Sequence, residues 1–325
     1  METDSNAAVL AIQVGNSRIK FGAFRGAEPE EIAFVAVDDL PLAVATALRL
    51  YELVGAETDS SVLLASVNKP VSEKLLPLLR EELGCELYLV PEDMAVPIGT
   101  CLDANATAGV DRLLNAAAAW GKLKQACIVI DAGTCITVDF IDGEGVFHGG
   151  AIAPGLRMQL KALHQQTAAL PQLELAFDAF DALQETHDEK QPTPWGTNTR
   201  DAMMRGVYHG VRGLAWRLIE KYAEAYGGFP PVIATGGDAA VLFGEDELIN
   251  QVVPDLVLRG MVLAANAALT PDAVDDDGLS SPRAPGFSLL PSQTQPSPRG
   301  SQATQKTKSF HRAGCDEDGC DCGDA

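Results

Sequence analysis

Apolar and polar positions alternate along this chain with two different periods. In AIQVGNSRIKFG, residues 11–22, an apolar run enters a Gly-Asn-Ser turn and then resumes, which reads as strand, tight turn and second strand. VLLASV (62–67) and ELYLVP (86–91) are short β-rich runs. PVIATGG (231–237) is a buried strand that ends in two glycines. Elsewhere the period lengthens. SEKLLPLLREELG (72–84) spaces its leucines for a helix and stops at glycine. VDRLLNAAAAWGKL (110–123), the long run 199–227 and LVLRGMVLAANAAL (256–269) read as helices too. The apolar stripe of the long helix is assigned to Met203, Val207, Val211, Leu214 and Leu218. Alternation of this kind predicts sheets covered by helices.

One pattern occurs twice. IQVGNSRIKF (12–21) and IDAGTCITVD (130–139) each carry an apolar strand, a polar residue, a spacer, glycine and a small polar pair, then a second strand. Their alignment pairs Gln13 with Asp131, Gly15 with Gly133 and Asn16 with Thr134. Two such hairpins about one domain length apart suggest a duplicated α/β fold with a cleft between the copies. The predicted boundaries are 1–125, 126–270 and a remainder, 271–325, where composition changes. Residues 271–300 hold six prolines among serines and glutamines. Such a segment buries too little apolar surface to offset its ordering entropy, and it is assigned as a disordered tail.

Charge and cysteine usage narrow the class. The 325 residues carry a formal net charge of −21. Nine acids and five bases lie beyond residue 270, a net of −4, which leaves −17 on the folded part. That charge argues against nucleic acid or an anionic membrane as a general partner. A nucleotide needs only a small local site and is not excluded. The first residues carry no basic region followed by an apolar core, and no apolar run reaches the ~18 residues of a membrane span. Cys85, Cys101, Cys127 and Cys135 are scattered among apolar segments and read as reduced thiols of a cytoplasmic protein. His311, Cys315, Cys320 and Cys322 near the end have no standard zinc spacing. His148, His164, His187 and His209 read as structural or surface residues.

Candidate chemistry gathers at the turns. Gly15 and Gly133 leave backbone N–H groups open to a phosphate, and Lys20 lies close enough to reach anionic oxygens. A tight hairpin, with Lys20 solvated in the first, is the plainer reading of either turn alone. Gly236 and Gly237 follow an apolar strand, where a base or ribose can pack on backbone. In Gly109-Val110-Asp111-Arg112 the acid sits in a helix's first turn, where the dipole favours its ionised form. An ionised Asp111 can accept a hydroxyl proton during phosphoryl transfer, and Arg112 can hold a carboxylate or phosphate. Gly196, Thr197, Asn198 and Thr199 open the long helix as caps or as a polar substrate contact.

Taken in order, these motifs resemble the type III pantothenate kinase family over residues 10–269. Gln13 to Ser17 with Lys20 stands for Asp-x-Gly-Asn-Thr…Lys, Gly109 to Arg112 for Gly-x-Asp-Arg, and Asp131 to Thr134 for Asp-x-Gly-Thr. Gly149 to Gly155, Thr167 to Pro171, Gly196 to Thr199 and Thr235 to Gly237 match the remaining motifs in sequence. The resemblance implies the acetate-and-sugar-kinase/actin fold, two duplicated RNase-H-like domains with an ATP cleft. It implies phosphorylation of pantothenate by ATP, the first step of coenzyme A synthesis, with Mg2+ and a monovalent cation, K+ or NH4+. It implies a homodimer. By position, Asp111 is the general base. Gly109, Val110, Asp111, Arg112 and Thr199 line the pantothenate site. Gln13, Gly15, Asn16, Ser17, Lys20, Gly133, Thr134, Gly236 and Gly237 line the ATP site, and Asp131 serves the metal.

Two residues depart from the pattern. Gln13 stands where the family has aspartate, so the first hairpin brings no negative charge to a metal-bound nucleotide. Leu102 stands where a tyrosine precedes Gly-x-Asp-Arg. These departures motivate two alternatives, a non-catalytic regulatory or ligand-sensing paralogue and a kinase for another small hydroxyl compound.

Overall fold

The computed structural model describes residues 8–55, 60–175 and 195–269. The tail assigned to 271–325, with its cysteines, and His187 lie outside the described residues. The first sheet is built from β1 (Ala8–Val14), β2 (Arg18–Arg25), β3 (Glu28–Ala36), β4 (Ser60–Ser66) and β5 (Leu87–Val90), in the order β3-β2-β1-β4-β5. β1 pairs antiparallel with β2 and parallel with β4. The parallel connections run through α1 (Leu40–Val54) and α2 (Lys69–Leu83). The leucine pattern read from residue 72 extends back to Lys69, because Pro70 suits the first turn, where its missing N–H costs nothing.

The second sheet repeats this plan. It uses β7 (Cys127–Ala132), β8 (Cys135–Ile141), β9 (Val146–Pro154), β10 (Val232–Thr235) and β11 (Gln251–Val252). Their order is β11-β10-β7-β8-β9, with the two-residue β6 (Gly99–Thr100) added beyond β9. Again the first strand pairs antiparallel with the second and parallel with the fourth. The duplication expected from two short hairpins is therefore a duplication of whole sheets, the RNase-H-like plan of the acetate-and-sugar-kinase/actin fold. β9 and α1 were not anticipated from periodicity.

Helices fill three layers. α1 and α2 cover the outer face of the first sheet through Leu50, Leu75 and Leu79. α4 (Leu156–Gln165), α5 (Thr199–Tyr226) and α6 (Ala239–Phe243) cover the outer face of the second. The predicted stripe on α5 turns out shifted. Met203, Val207 and Val211 are buried as expected, but below them Ala215 and Ile219 are buried while Leu214 and Leu218 are half-buried. The buried positions keep a spacing of four from Met203 to Ala223, and because that exceeds 3.6 residues per turn the stripe drifts around so long a helix.

Between the two sheets lie α3 (Val110–Leu123) and α7 (Leu256–Leu269). Val9, Ala11 and Leu63 of the first sheet pack on Val257, Leu258 and Met261 of α7 and on Leu114 of α3. Ala116 and Ala119 of α3 pack on Cys127, Val129 and Ile233 of the second sheet. In each central strand, alternate residues point to this middle layer and to the outer helices, so β1 is buried along its whole length. The alanine run of α3 lets the layers approach.

At the crossing of α3 and α7, a methyl group added at Gly260 would lie 2.2 Å from the Leu114 carbonyl oxygen. Backbone cannot step aside as a side-chain tip can. Gly260→Ala should therefore destabilise the fold by about 1–3 kcal/mol despite alanine's better helix propensity, read as a lowered thermal midpoint.

Candidate active site

The layer geometry brings the two hairpins face to face. Alternation along β1 turns Gln13 to the same side as Val9 and Ala11, toward α3 and α7. The same alternation along β7 turns Asp131 toward that layer from the opposite sheet, alongside Cys127 and Val129. Each strand then ends in its glycine turn. The Gly15 N–H donates to the Arg18 carbonyl at 3.0 Å, and the Gly133 N–H donates to the Cys135 carbonyl at 2.9 Å. The turns touch, with Ser17 Oγ and Thr134 Oγ1 2.7 Å apart. Gln13 is buried, and its cross-strand neighbour is Lys20.

Asp111 enters from the middle layer, in the first turn of α3. Gly109 caps this helix without a side chain, and a methyl there would lie 2.7 Å from Asp111 Oδ1. That oxygen accepts the Arg112 backbone N–H at 2.8 Å. Burial raises the Asp111 pKa above the ordinary aspartate value, and the charge of Asp131 adds to the rise. The Arg112 backbone hydrogen bond, the Arg112 charge and the Lys20 charge oppose it. Asp111 therefore feels the charges of both Asp131 and Lys20, as a shared site requires.

Asn115 was not anticipated. It lies one helical turn after Asp111, is buried, and its Nδ2 donates to Asp131 Oδ2 at 3.0 Å. The other oxygen of Asp131 faces the glycine turn after β10. A Cβ on Gly236 would sit 2.5 Å from Asp131 Oδ1 and 2.3 Å from the Ala132 carbonyl, and the residue's φ of 98° also suits glycine. Asp131 is thus held on one oxygen and left open on the other. The signal in the sequence was one polar residue among the alanines of α3, four positions after an acid on the same face.

Arg112 turns to a different partner. Its Nε donates to both carboxylate oxygens of Asp139 at 3.1 Å, and its Nη2 bonds to the same group. Thr137 Oγ1 donates to Asp139 Oδ2 at 3.2 Å. Asp139 is buried at the far end of the repeated segment, so the guanidinium is held rigidly beside Asp111. Val110 is buried among the residues joining α3 to the first sheet. Gly155 closes the back of the second turn. A Cβ there would meet the Gly133 carbonyl at 2.2 Å, and its N–H donates to the Thr134 carbonyl at 3.1 Å.

Thr199 opens α5 as its exposed first residue, where Asn198 provides the cap by accepting the Asp201 N–H at 2.9 Å. Among the described residues no hydrogen bond joins Thr199 to Asp111 or Arg112. His148 bonds Asp142 at 2.7 Å and His164 bonds the Leu170 carbonyl at 2.8 Å, as structural residues do. Among the described residues no helix is long and apolar enough to cross a membrane.

Relatives are similar in sequence over most of this region. The chain is 30% identical over 261 residues to a type III pantothenate kinase of Syntrophotalea carbinolica, covering 78% of this chain and 96% of that one. It is 32% identical over 260 residues to a type III pantothenate kinase of Paramagnetospirillum magneticum, covering 78% and 95%. Among solved structures it is similar to component A of the (R)-2-hydroxyglutaryl-CoA dehydratase of Acidaminococcus fermentans, with a TM-score of 0.48, 16% identity and coverage of 80% and 96%. Residues 9–221 match the family described as type III pantothenate kinase, with the paired glycine turns, Asp111 and Asp131 all inside the match. The chain belongs to the type III pantothenate kinase family.

Proposed function

We propose that this protein transfers the γ-phosphoryl group of ATP to the primary hydroxyl of pantothenate, giving 4'-phosphopantothenate, the entry step of coenzyme A synthesis. The observation that carries this reading is the convergence of two phosphate turns, 2.7 Å apart at Ser17 and Thr134, with Asp111 beside Asp131. The relatives are named as kinases, which gives the regulatory alternative raised by Gln13 no support.

In this reading Gly15, Asn16, Ser17, Gly133 and Thr134 offer N–H and hydroxyl donors to the phosphates, and Lys20 adds a charge. Gly236 and Gly237 leave room for the adenosine. Gln13 contributes an amide to the same pocket. Gly109, Val110 and Thr199 border the pantothenate. Arg112, fixed by Asp139, receives the pantothenate carboxylate through its remaining N–H groups. Asp111 accepts the proton of the attacking hydroxyl as the oxygen–phosphorus bond forms and ADP leaves.

The residues present fit a cation carried on the phosphates better than one caged by protein. Among the described residues no cluster of three or more His, Cys, Asp or Glu is placed to hold a metal. Asp131, with one oxygen tied to Asn115 and the other beside the Gly236 turn, suits Mg2+, which uses one or two carboxylates together with phosphate and water. Such an ion would offset charge on the transferred group. We assign a monovalent cation, K+ or NH4+, to the Asp131 neighbourhood as well. The homodimer belongs to this reading, as does a cytoplasmic setting, supported by the free thiols of Cys85, Cys101, Cys127 and Cys135.

A coupled assay of ADP release with pantothenate, magnesium and potassium tests the assignment. Asp111→Asn should lower kcat by about 100-fold or more, the usual worth of a general base, while ATP binding persists. Turnover unchanged by that substitution would overturn the assignment. A base acts only when deprotonated, and the Asp111 pKa lies above the ordinary value. Activity should therefore fall on acidification at a higher pH than an ordinary aspartate, near 3.9, would give. Asp111→Asn also removes a partly buried like charge beside Asp131, so the thermal midpoint at pH 8 should hold or rise. Gln13→Asp should lower the magnesium concentration that half-saturates the rate, measured by titrating Mg2+ at fixed ATP.

A further inference from the structure

We propose, on the nucleotide reading above, that Arg18 is a phosphate ligand which makes up for the carboxylate missing at Gln13. Arg18 opens β2, directly after the Ser17 that touches the second turn. Its carbonyl closes the first glycine turn by accepting the Gly15 N–H, so its side chain leaves the hairpin at the mouth of the cleft. From there it reaches the opposite sheet. A methyl group built on Gly237 would lie 3.1 Å from Arg18 Nη1, 3.6 Å from Cζ and 3.8 Å from Nη2. The guanidinium thus lies across the turn after β10, spanning the phosphate hairpin of one half and the adenosine turn of the other.

Among the described residues this guanidinium has no hydrogen-bonding partner. The nearest acid in sequence to that turn, Asp238, is buried and accepts the Arg157 Nη1–H on both oxygens, at 2.7 and 2.9 Å. Among the described residues no ion pair or hydrogen bond engages the Arg18 side chain. An exposed arginine usually extends into water or finds a carboxylate. Arg18 instead rests over bare backbone, with a planar set of N–H donors left for a ligand that matches them. Phosphate oxygens match that fork in spacing and sign. A group lying between the adenosine turn and the γ-phosphate site meets the α- and β-phosphates, which ATP and ADP share.

The charge on the first hairpin points the same way. Gln13 and Lys20 are cross-strand neighbours. With an acid at 13, Lys20 would face a charge of opposite sign on the next strand. With glutamine there, Lys20 and Arg18 are two cations facing the cleft with no acid between them. This hairpin grips phosphate with fixed side-chain charge and leaves metal binding to Asp131. Nucleotide binding should then depend on Arg18 most strongly when magnesium is withdrawn.

Calorimetry of ADP binding to the full chain, in magnesium and in EDTA, tests this. The wild type should bind ADP in both buffers. Arg18→Ala should weaken binding about tenfold or more, the scale of a charge-assisted hydrogen bond, with the larger loss in EDTA. Arg18→Lys, which keeps charge without the fork, should fall between. Gln13→Asp added to Arg18→Ala should restore affinity in magnesium and not in EDTA. Thermal midpoints should match the wild type, since Arg18 is exposed. If Arg18→Ala binds ADP within about twofold of wild type in both buffers, Arg18 is a surface residue and the kinase reading stands without it. If the wild type binds no ADP, both readings fall.

Discussion

The crossing of α3 and α7 is the constraint on which the rest depends. Two sheets cannot share one core unless something apolar fills the space between their inner faces. Here two helices do so, and they pack closely enough that Gly260 leaves no room for a methyl group against Leu114. That contact fixes the separation of the sheets, and with it the distance between the glycine turns at the ends of β1 and β7. Residues from the two halves of the chain meet at 2.7 Å because the helices between them are thin. Bulkier residues in place of Ala116 and Ala119 would hold the turns apart and dissolve the site without touching it.

The middle layer also carries polar groups. Gln13 and Asp131 face inward from their strands, while Asp111 and Asn115 come from the helix between them. Burying carboxylates beside one another raises the cost of ionising them. Asp111 shows this cost as a raised pKa, and Asn115 relieves part of it by donating to Asp131. The outcome is two acids with different environments, one tied by hydrogen bonding and one held by the end of a helix. Arg112 follows a similar rule. Its guanidinium could not be placed reliably by a flexible side chain alone, and the buried Asp139 fixes it.

Much of this was legible in the sequence, for identifiable reasons. The hairpins announce themselves because glycine, a small polar pair and alternating strands occur together twice. α3 and α7 were read with correct ends because their periodicity is strong and their flanks change character abruptly. β9 was missed because its alternation is broken by Gly149 and Gly150, and α1 because no motif drew attention to it. The stripe on α5 departs from expectation beyond Val211 because the expected pattern steps by three to Leu214, whereas the buried positions keep a spacing of four through Ala215, Ile219 and Ala223. Asn115 and Asp139 escaped notice for a different reason. A buried polar residue is defined by its partner, and both partners lie on other elements. Sequence spacing places Asp111 in a first turn, but only the packed layers place it beside Asp131.

Gln13 is where local and global logic part. Within its own hairpin it is a small loss, one neutral amide for one carboxylate. Across the cleft the change is larger, because each charge there is felt by groups on three elements. The first hairpin keeps Lys20 and Arg18 and loses the acid that would have offset one of them, while the second keeps Asp131. The cleft is therefore divided by sign, cationic on the side of the first sheet and anionic on the side of the second. On the proposed reading, a nucleotide carrying both negative phosphates and a bound cation satisfies both sides at once. On that reading, a site polarised in this way suits a charged, two-part ligand even though the first hairpin brings no acid.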